Sequence, residues 1–351
     1  MQSTVTLQDL PSAQARFCLG VERFVRRELG LDLAGRTVLV GFSGGVDSTV
    51  LLTVLCALAP RLDCRVLAAH LDHGLRPESG DEALQAHKFC EAHGVPYALG
   101  REDVGEYAKA SNMGIEDAAR QARYTFLTRI AQEQGADVMA VGHHLDDLAE
   151  DVLMRLTRGS GWPQLGGMCA WDPAKGLLRP LLMTPRADIE TFATALGLPW
   201  TEDPSNADPR YLRNRMRHAI VPLFLDQNPN FLHQVAALWR MARLDSEDFA
   251  SQTATLRLGA QENGTLLPAA LLDGCTPAQR LRLFKAVLED LGPGQPLAEN
   301  LFRLERAWNE SRQHGRVIQF PGPKTARVSP RGVSFSRADE AEPEANAPEA
   351  G

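Results

Sequence analysis

Apolar residues along this chain follow two rhythms. Val38-Leu39-Val40-Gly41-Phe42 is an unbroken apolar run, which predicts a strand buried on both faces of a parallel sheet. Val50, Leu51, Leu52, Val54, Leu55 and Leu58 follow at helical spacing. Arg65 to Leu71 and Asp137 to Gly142 repeat the buried-strand pattern, and a short strand is expected around Val95 to Leu99. Helical periodicity marks Phe17 to Leu29, Ser79 to His93, Gly114 to Leu127, the stretch from Leu145, and Pro185 to Leu196. Strands alternating with helices predict an α/β domain on an open parallel sheet. Leu177 to Leu182 is one further short apolar segment.

Past Pro222 and Pro229 the rhythm changes. Phe231 to Leu256 reads as one long amphipathic helix, with two more over Ala278 to Leu291 and Leu297 to Ser311. Val317 to Phe320, Ala326 to Ser329 and Gly332 to Phe335 alternate as short strands. The expected organisation is a lead-in helix over 1–35, an α/β domain over 36–226, a smaller and mainly helical accessory domain with a β-element over 227–337, and a tail over 338–351 whose Pro, Glu and Ala content predicts disorder.

With 351 residues, 44% of them hydrophobic and 23% charged, the chain can bury a sizeable core and suits two domains better than one. It shows no secretory leader pattern and no apolar run long enough to span a bilayer, so no membrane partner and a cytoplasmic location are expected. Six cysteines without a C-x-x-C pair argue for reduced thiols and against a disulfide framework or a zinc or iron–sulfur site. A net charge of −7 disfavours a protein that coats nucleic acid non-specifically. Five carboxylates and no basic residue in the tail leave the rest of the chain closer to neutral.

Six stretches carry candidate chemistry. Ser43-Gly44-Gly45-Val46-Asp47-Ser48 sits between the first strand and its helix. Small residues there let backbone N–H groups approach an anion at the helix start, which describes a phosphate cradle. The lysine of a kinase-type loop is missing, and a carboxylate at Asp47 beside a polyphosphate calls for a divalent cation, Mg²⁺. His70, Asp72, His73 and Arg76 end the second strand on the side where open α/β sheets bind ligands, although such residues also serve simply to satisfy loop amides. His143 to Glu150 places two histidines beside Asp146, Asp147 and Glu150, a concentration suited to metal binding, base catalysis or recognition of an amine. A capped helix with an acidic first turn would explain some of those carboxylates but not the histidine pair. Arg120, Arg123 and Tyr124 form a polar stripe, Arg158 ends a basic helix before a glycine-rich loop, and Arg210, Arg213 and Arg217 with Tyr211 make the strongest phosphate- or RNA-binding candidate, unless they are a solvated face.

These motifs, in order, resemble the tRNA(Ile)-lysidine synthetase family of the PP-loop ATP pyrophosphatases, whose nucleotide domain is of the adenine nucleotide α-hydrolase type. The resemblance rests on the Ser43–Ser48 hexad, His70 to Arg76, Glu116 to Leu127, Gly142 to Asp147 with Glu150, Arg158-Gly159-Ser160-Gly161, Arg179-Pro180-Leu181-Leu182, Glu202-Asp203-Pro204-Ser205-Asn206 and Arg213-Asn214-Arg215-Met216-Arg217. It covers about Val38 to Leu223. It implies ATP-dependent adenylation of the first anticodon cytidine in the isoleucine tRNA with a CAU anticodon, followed by attack of free L-lysine on that base. It further implies an ATP and pyrophosphate site at Ser43, Gly44, Gly45, Val46, Asp47, Ser48, His70 and Asp72. Catalytic roles fall to Asp47, Asp147, Glu150 and His143, lysine binding to Asp147 and Glu150, Mg²⁺ to Asp47, and tRNA contacts to Arg120, Arg123, Arg158, Arg213 and Arg217. Oligomeric state is left open, a homodimer being one of the assemblies available.

The chain departs from the family pattern at Asp151, where threonine is common, and at Trp162-Pro163-Gln164, where a leucine and a glycine are usual. A tRNA thiolase on the same scaffold would want paired or persulfide cysteines near the cradle. An amidating synthetase would want a glutaminase half. A non-catalytic RNA- or nucleotide-binding module would not need Asp47, Asp147 and Glu150 together.

Overall fold

The computed structural model describes residues 6–74, 79–201, 208, 210–258 and 266–337. Arg76, the Glu202 to Asn206 segment and the acidic tail lie outside them. The chain forms two compact units, Met1–Met154 with Gly167–Ala237, and Arg155–Gly166 with Leu238–Gly351.

The first unit is built on a six-stranded sheet. Its strands are β1 (Thr37–Gly41), β2 (Arg65–Asp72), β3 (Tyr97–Arg101), β4 (Val138–Ala140), β5 (Trp171–Asp172) and β6 (Leu177–Leu178), in the order β3-β2-β1-β4-β6-β5. All pair in parallel except β5, which runs antiparallel to β6. Val38, Leu39 and Val40 are fully or almost fully buried, as the unbroken apolar run requires. Leu39, Leu67, Met139 and Leu177 meet Phe126, Leu127 and Ile130 of α5 (Ile115–Gln134) on one face. The alternate residues Val38 and Val40 point to the other face, toward α2 (Val46–Leu62), which in turn contacts α1 (Ser12–Arg23) and α7 (Arg186–Ala195). The topology reverses at β1, with β2 on one side and β4 on the other, so a crevice is expected beyond the carboxyl ends of β1 and β4.

Helix α3 (Ser79–Ala92) follows the sequence reading closely, strand β3 lies two residues beyond the expected Val95 to Leu99, and α6 (Leu145–Thr157) starts at Leu145. Two elements had no distinct apolar signature: α4 (Val104–Ser111), capped by Asp103, and the two-residue β5. The basic stretch holding Arg213 and Arg217 is divided into α8 (Leu212–Arg215), a π turn over Met216–Ile220, and α9 (Val221–Gln227). Pro222 accounts for the interruption, because it offers no N–H to the preceding turn.

The second unit has its own core. Beyond α10 (Phe231–Leu258), which contains the boundary between the units, come β7 (Leu266–Pro268), α11 (Ala269–Gly274), α12 (Pro277–Asp290), α13 (Ala298–Glu310), β8 (Val317–Phe320), β9 (Lys324–Ser329) and β10 (Gly332–Arg337). The strands form an antiparallel sheet in the order β7-β10-β9-β8, closed over Leu283, Phe284, Leu304 and Trp308. Lys324 is buried within it and donates to the carbonyls of Leu288, Gly292 and Gly294 at 2.6, 2.6 and 2.9 Å. Arg280 and Glu305 form a buried ion pair between α12 and α13. Among the described residues no helix is long and apolar enough to cross a membrane.

Candidate active site

The cradle forms where β1 ends. Gly44 takes a positive φ of 82°, which a side chain would strain, and the turn delivers Gly45 as the N-cap of α2 with no side-chain cap bond. The serines instead brace the loop: Ser48 Oγ donates to the Gly45 carbonyl at 3.0 Å and accepts from the Ser43 N–H at 3.1 Å. Thr201 N–H reaches across to the Gly44 carbonyl at 3.0 Å. The first turn of α2 therefore keeps its N–H groups and dipole available to an anion.

Asp47 lies in that turn. Burial raises its pKa and Asp147 adds to the rise, while His144, Arg186 and Arg217 oppose it. Its Oδ1 is buried without a hydrogen-bond partner. That orphaned oxygen beside an anion cradle fits Mg²⁺, which takes one or two protein carboxylates and completes its shell with phosphate oxygens and water. Among the described residues no group of three or more His, Cys, Asp or Glu could hold a metal without such help.

At the end of β4, Gly142 packs so tightly on the cradle that a Cβ there would stand 3.0 Å from the Asp47 carbonyl carbon. His143 accepts a hydrogen bond from Arg179 Nε at its Nδ1, 3.0 Å, and burial keeps its pKa well below the ordinary value. The ring is thus neutral, with the proton on Nε2, and acts as a donor at that atom. His144 is buried among Asp147 at 3.4 Å, Asp146 at 3.6 Å and Asp47 at 3.8 Å. Burial alone would lower its pKa, but these carboxylates outweigh it and raise it. Asp146 also accepts from the Arg186 N–H at 2.9 Å, tying the start of α7 to this loop.

Asp147 and Glu150 face inward from α6, and both are met by arginines from the broken helix. Arg213 reaches Glu150 at 2.9 Å and Asp147 at 3.4 Å. Arg217 reaches Glu150 at 2.6 and 3.3 Å and Asp147 at 2.9 Å. Burial works against the charge of Asp147, yet His144, Arg213, His143 and Arg217 hold its pKa far below the usual carboxylate range.

The predicted residues do not all converge. His70 Nδ1 donates to the Phe42 carbonyl at 2.8 Å, and Asp72 accepts from the Gly74 N–H at 2.9 Å, so both brace strand ends beside the cradle. Arg120 and Arg123 flank the Tyr124 ring at 5.1 and 5.8 Å, Arg123 being half-buried. Arg158 belongs to the second unit, as does Trp162, whose indole N–H donates to Asp245 at 2.6 Å. Arg210 pairs with Asp208, outside the cluster that Arg213 and Arg217 join. Sequence reasoning counted both histidines and used Gly142 and Arg179 as motif residues, but it gave a role to His143 alone. The doubled histidine was the available signal for His144.

A PP-loop domain model matches residues 21–224. A tRNA(Ile)-lysidine synthase from Nitratidesulfovibrio vulgaris is 45% identical over 322 residues, covering 86% of this chain and 92% of that relative. The chain belongs to the tRNA(Ile)-lysidine synthase family. Synthases from Thermosipho africanus, 39% identical, and Deinococcus radiodurans, 41% identical, match 63% and 74% of the chain. The chain spans only 53% and 41% of those two relatives. A U34-tRNA thiolase from Methanococcus maripaludis shares the fold at a TM-score of 0.54 and 23% identity, over 66% of this chain and 80% of its own. Within the synthase family, then, this chain is a PP-loop ligase with a compact second unit.

Proposed function

We propose that this ATP-dependent ligase joins free lysine to C2 of the first anticodon cytidine in the isoleucine tRNA with a CAU anticodon, giving lysidine, AMP and pyrophosphate. The observation that carries the reading is the meeting of an uncapped glycine-rich helix start and a buried carboxylate pair at one switch point of the sheet. Likeness to a synthase along 92% of that relative supports it.

In the first step O2 of the cytidine attacks the α-phosphorus of ATP, and the bond to the bridging oxygen of the β-phosphate breaks. N–H groups at the start of α2 hold the departing pyrophosphate. Mg²⁺, held by Asp47 with phosphate oxygens, would supply neutralising charge there. In the second step the ε-amine of lysine attacks C2, the C2–O2 bond breaks, and AMP leaves with that oxygen. Asp147 and Glu150 receive the ε-ammonium, and it must shed a proton at that pair, because only the neutral amine is a nucleophile. His143, neutral and fixed by Arg179, orients through its Nε2–H rather than accepting the proton. Arg120, Arg123 and Arg158 contribute charge toward RNA, and the substrates place the reaction in the cytoplasm.

Purified chain incubated with ATP, Mg²⁺, radiolabelled lysine and this tRNA should place label in RNA and release AMP in equal amount. RNA that stays unlabelled while it gains sulfur or ammonia would overturn the assignment.

A further inference from the structure

Two carboxylates buried as deeply as Asp147 and Glu150 make a site for a cation. In this structure the cations come from the chain itself. Each of the two guanidiniums, Arg213 and Arg217, touches both carboxylates. Two positive groups on two negative ones leave no net charge to attract an ammonium. An added lysine side chain would bring a surplus positive charge onto two buried carboxylates already neutralised by the guanidiniums, beside Arg123, whose own charge burial already disfavours. The ammonium can therefore pair with these carboxylates only where a guanidinium has left.

The geometry shows a way out for the arginines. The Arg213 and Arg217 side chains keep 23% and 22% exposure, whereas the Glu150 side chain keeps 1%. The carboxylates form the floor, and the guanidiniums lie nearer the solvent. Both arginines come from α8 and the π turn after it, a widened turn of the kind frequent at functional sites. Phosphodiester oxygens satisfy guanidinium groups with the same forked geometry as carboxylates do.

We propose that Arg213 and Arg217 act as a clasp that fills the ammonium site until RNA phosphates draw them away, so that lysine binds tightly only to the tRNA-bound enzyme. This rests on the reading of Asp147 and Glu150 as the lysine site. The clasp would spare the enzyme from holding lysine over ATP with no base to modify.

Equilibrium dialysis of radiolabelled lysine against the full chain tests it, with a non-hydrolysable ATP analogue present and with or without the CAU-anticodon tRNA. tRNA should tighten lysine binding at least tenfold, and Arg217→Gln should bring the tRNA-free affinity to within a few-fold of the tRNA-bound value. Equal lysine affinity with and without tRNA overturns the clasp, as does weaker tRNA-free binding in a folded Arg217→Gln. Isotope trapping with the unaltered chain is independent of any variant's folding. Label from a pre-formed mixture of enzyme, tRNA and lysine should be captured when ATP is added with excess unlabelled lysine. Label from enzyme and lysine alone should not, and equal capture from both overturns the proposal. If label enters tRNA but its binding ignores tRNA, only the clasp fails; if label never enters tRNA, the assigned function fails.

Discussion

Asp47 is held against its own solvation. Burial raises its pKa, so its ionised form weakens the fold that carries it, and its Oδ1 has no hydrogen-bond partner. Asp47→Asn should therefore melt no lower than the native sequence while tRNA adenylation falls by about 100-fold or more, the scale of a lost transition-state electrostatic contact. Melting curves and AMP release measured on the same preparation check both halves. His144 and Asp147 make the cluster sensitive to pH in opposite directions. The raised pKa of His144 contributes stability that is complete below its ordinary value of 6.5 and is lost as pH rises through the folded value. The lowered pKa of Asp147 contributes stability present above the ordinary 3.8 and lost as pH falls through the lower folded value. A melting series without Mg²⁺ should show this cluster's contribution greatest between those two ordinary values, and His144→Gln should flatten the alkaline side. Neither pairing was legible from spacing alone. The chain order of His143 and His144 announces a histidine pair, but only the fold says that one ring faces Arg179 and the other three carboxylates.

Among the elements, what could be read in advance was local. The β1–turn–α2 unit follows from an apolar run, two glycines and helical spacing within some twenty residues, and α6 follows from its inward-facing leucines and Val152. What could not be read was long-range. Arg210, Arg213 and Arg217 look alike as a basic stripe, yet two of them turn inward to partners 63 to 70 residues away. A charged residue carries no sign in its sequence of which partner it will find. Short or weakly patterned elements such as β5, β7 and α4 escaped for a different reason, since a few residues hold too little periodicity to stand out. Gly142 shows how closely elements from separate parts of the chain are fitted. Its substitution by alanine should press on the start of α2, cost roughly 1–3 kcal/mol of stability, and weaken ATP binding about tenfold or more. Urea unfolding and nucleotide titration measure the two effects, and unchanged nucleotide affinity would show that the cradle can give way.

For the molecule as a whole, each unit has its own buried core, and each places a charged group inside it. In the second unit that group is structural: three carbonyls converge on Lys324 Nζ. Lys324→Met would leave those acceptors unsatisfied, and a loss of about 3 kcal/mol or more is expected from the second unit. Calorimetry should show an early transition, with ATP binding by the first unit retained; a single unshifted transition would refute the structural role. Fold class and the rough partition of the chain were legible because each half has a distinct rhythm, whereas the assignment of 155–166 to the second unit was not, since it depends on packing rather than pattern. The contact between Gly142 and the Asp47 backbone has a consequence for how such an enzyme can change. The loop that splits ATP and the loop that receives the amine share one joint with no slack in it, so drift in either is felt by the other. Variation that tunes one half-reaction separately has to arise away from that joint, and variants selected for faster adenylation through either loop should carry altered amine transfer with them.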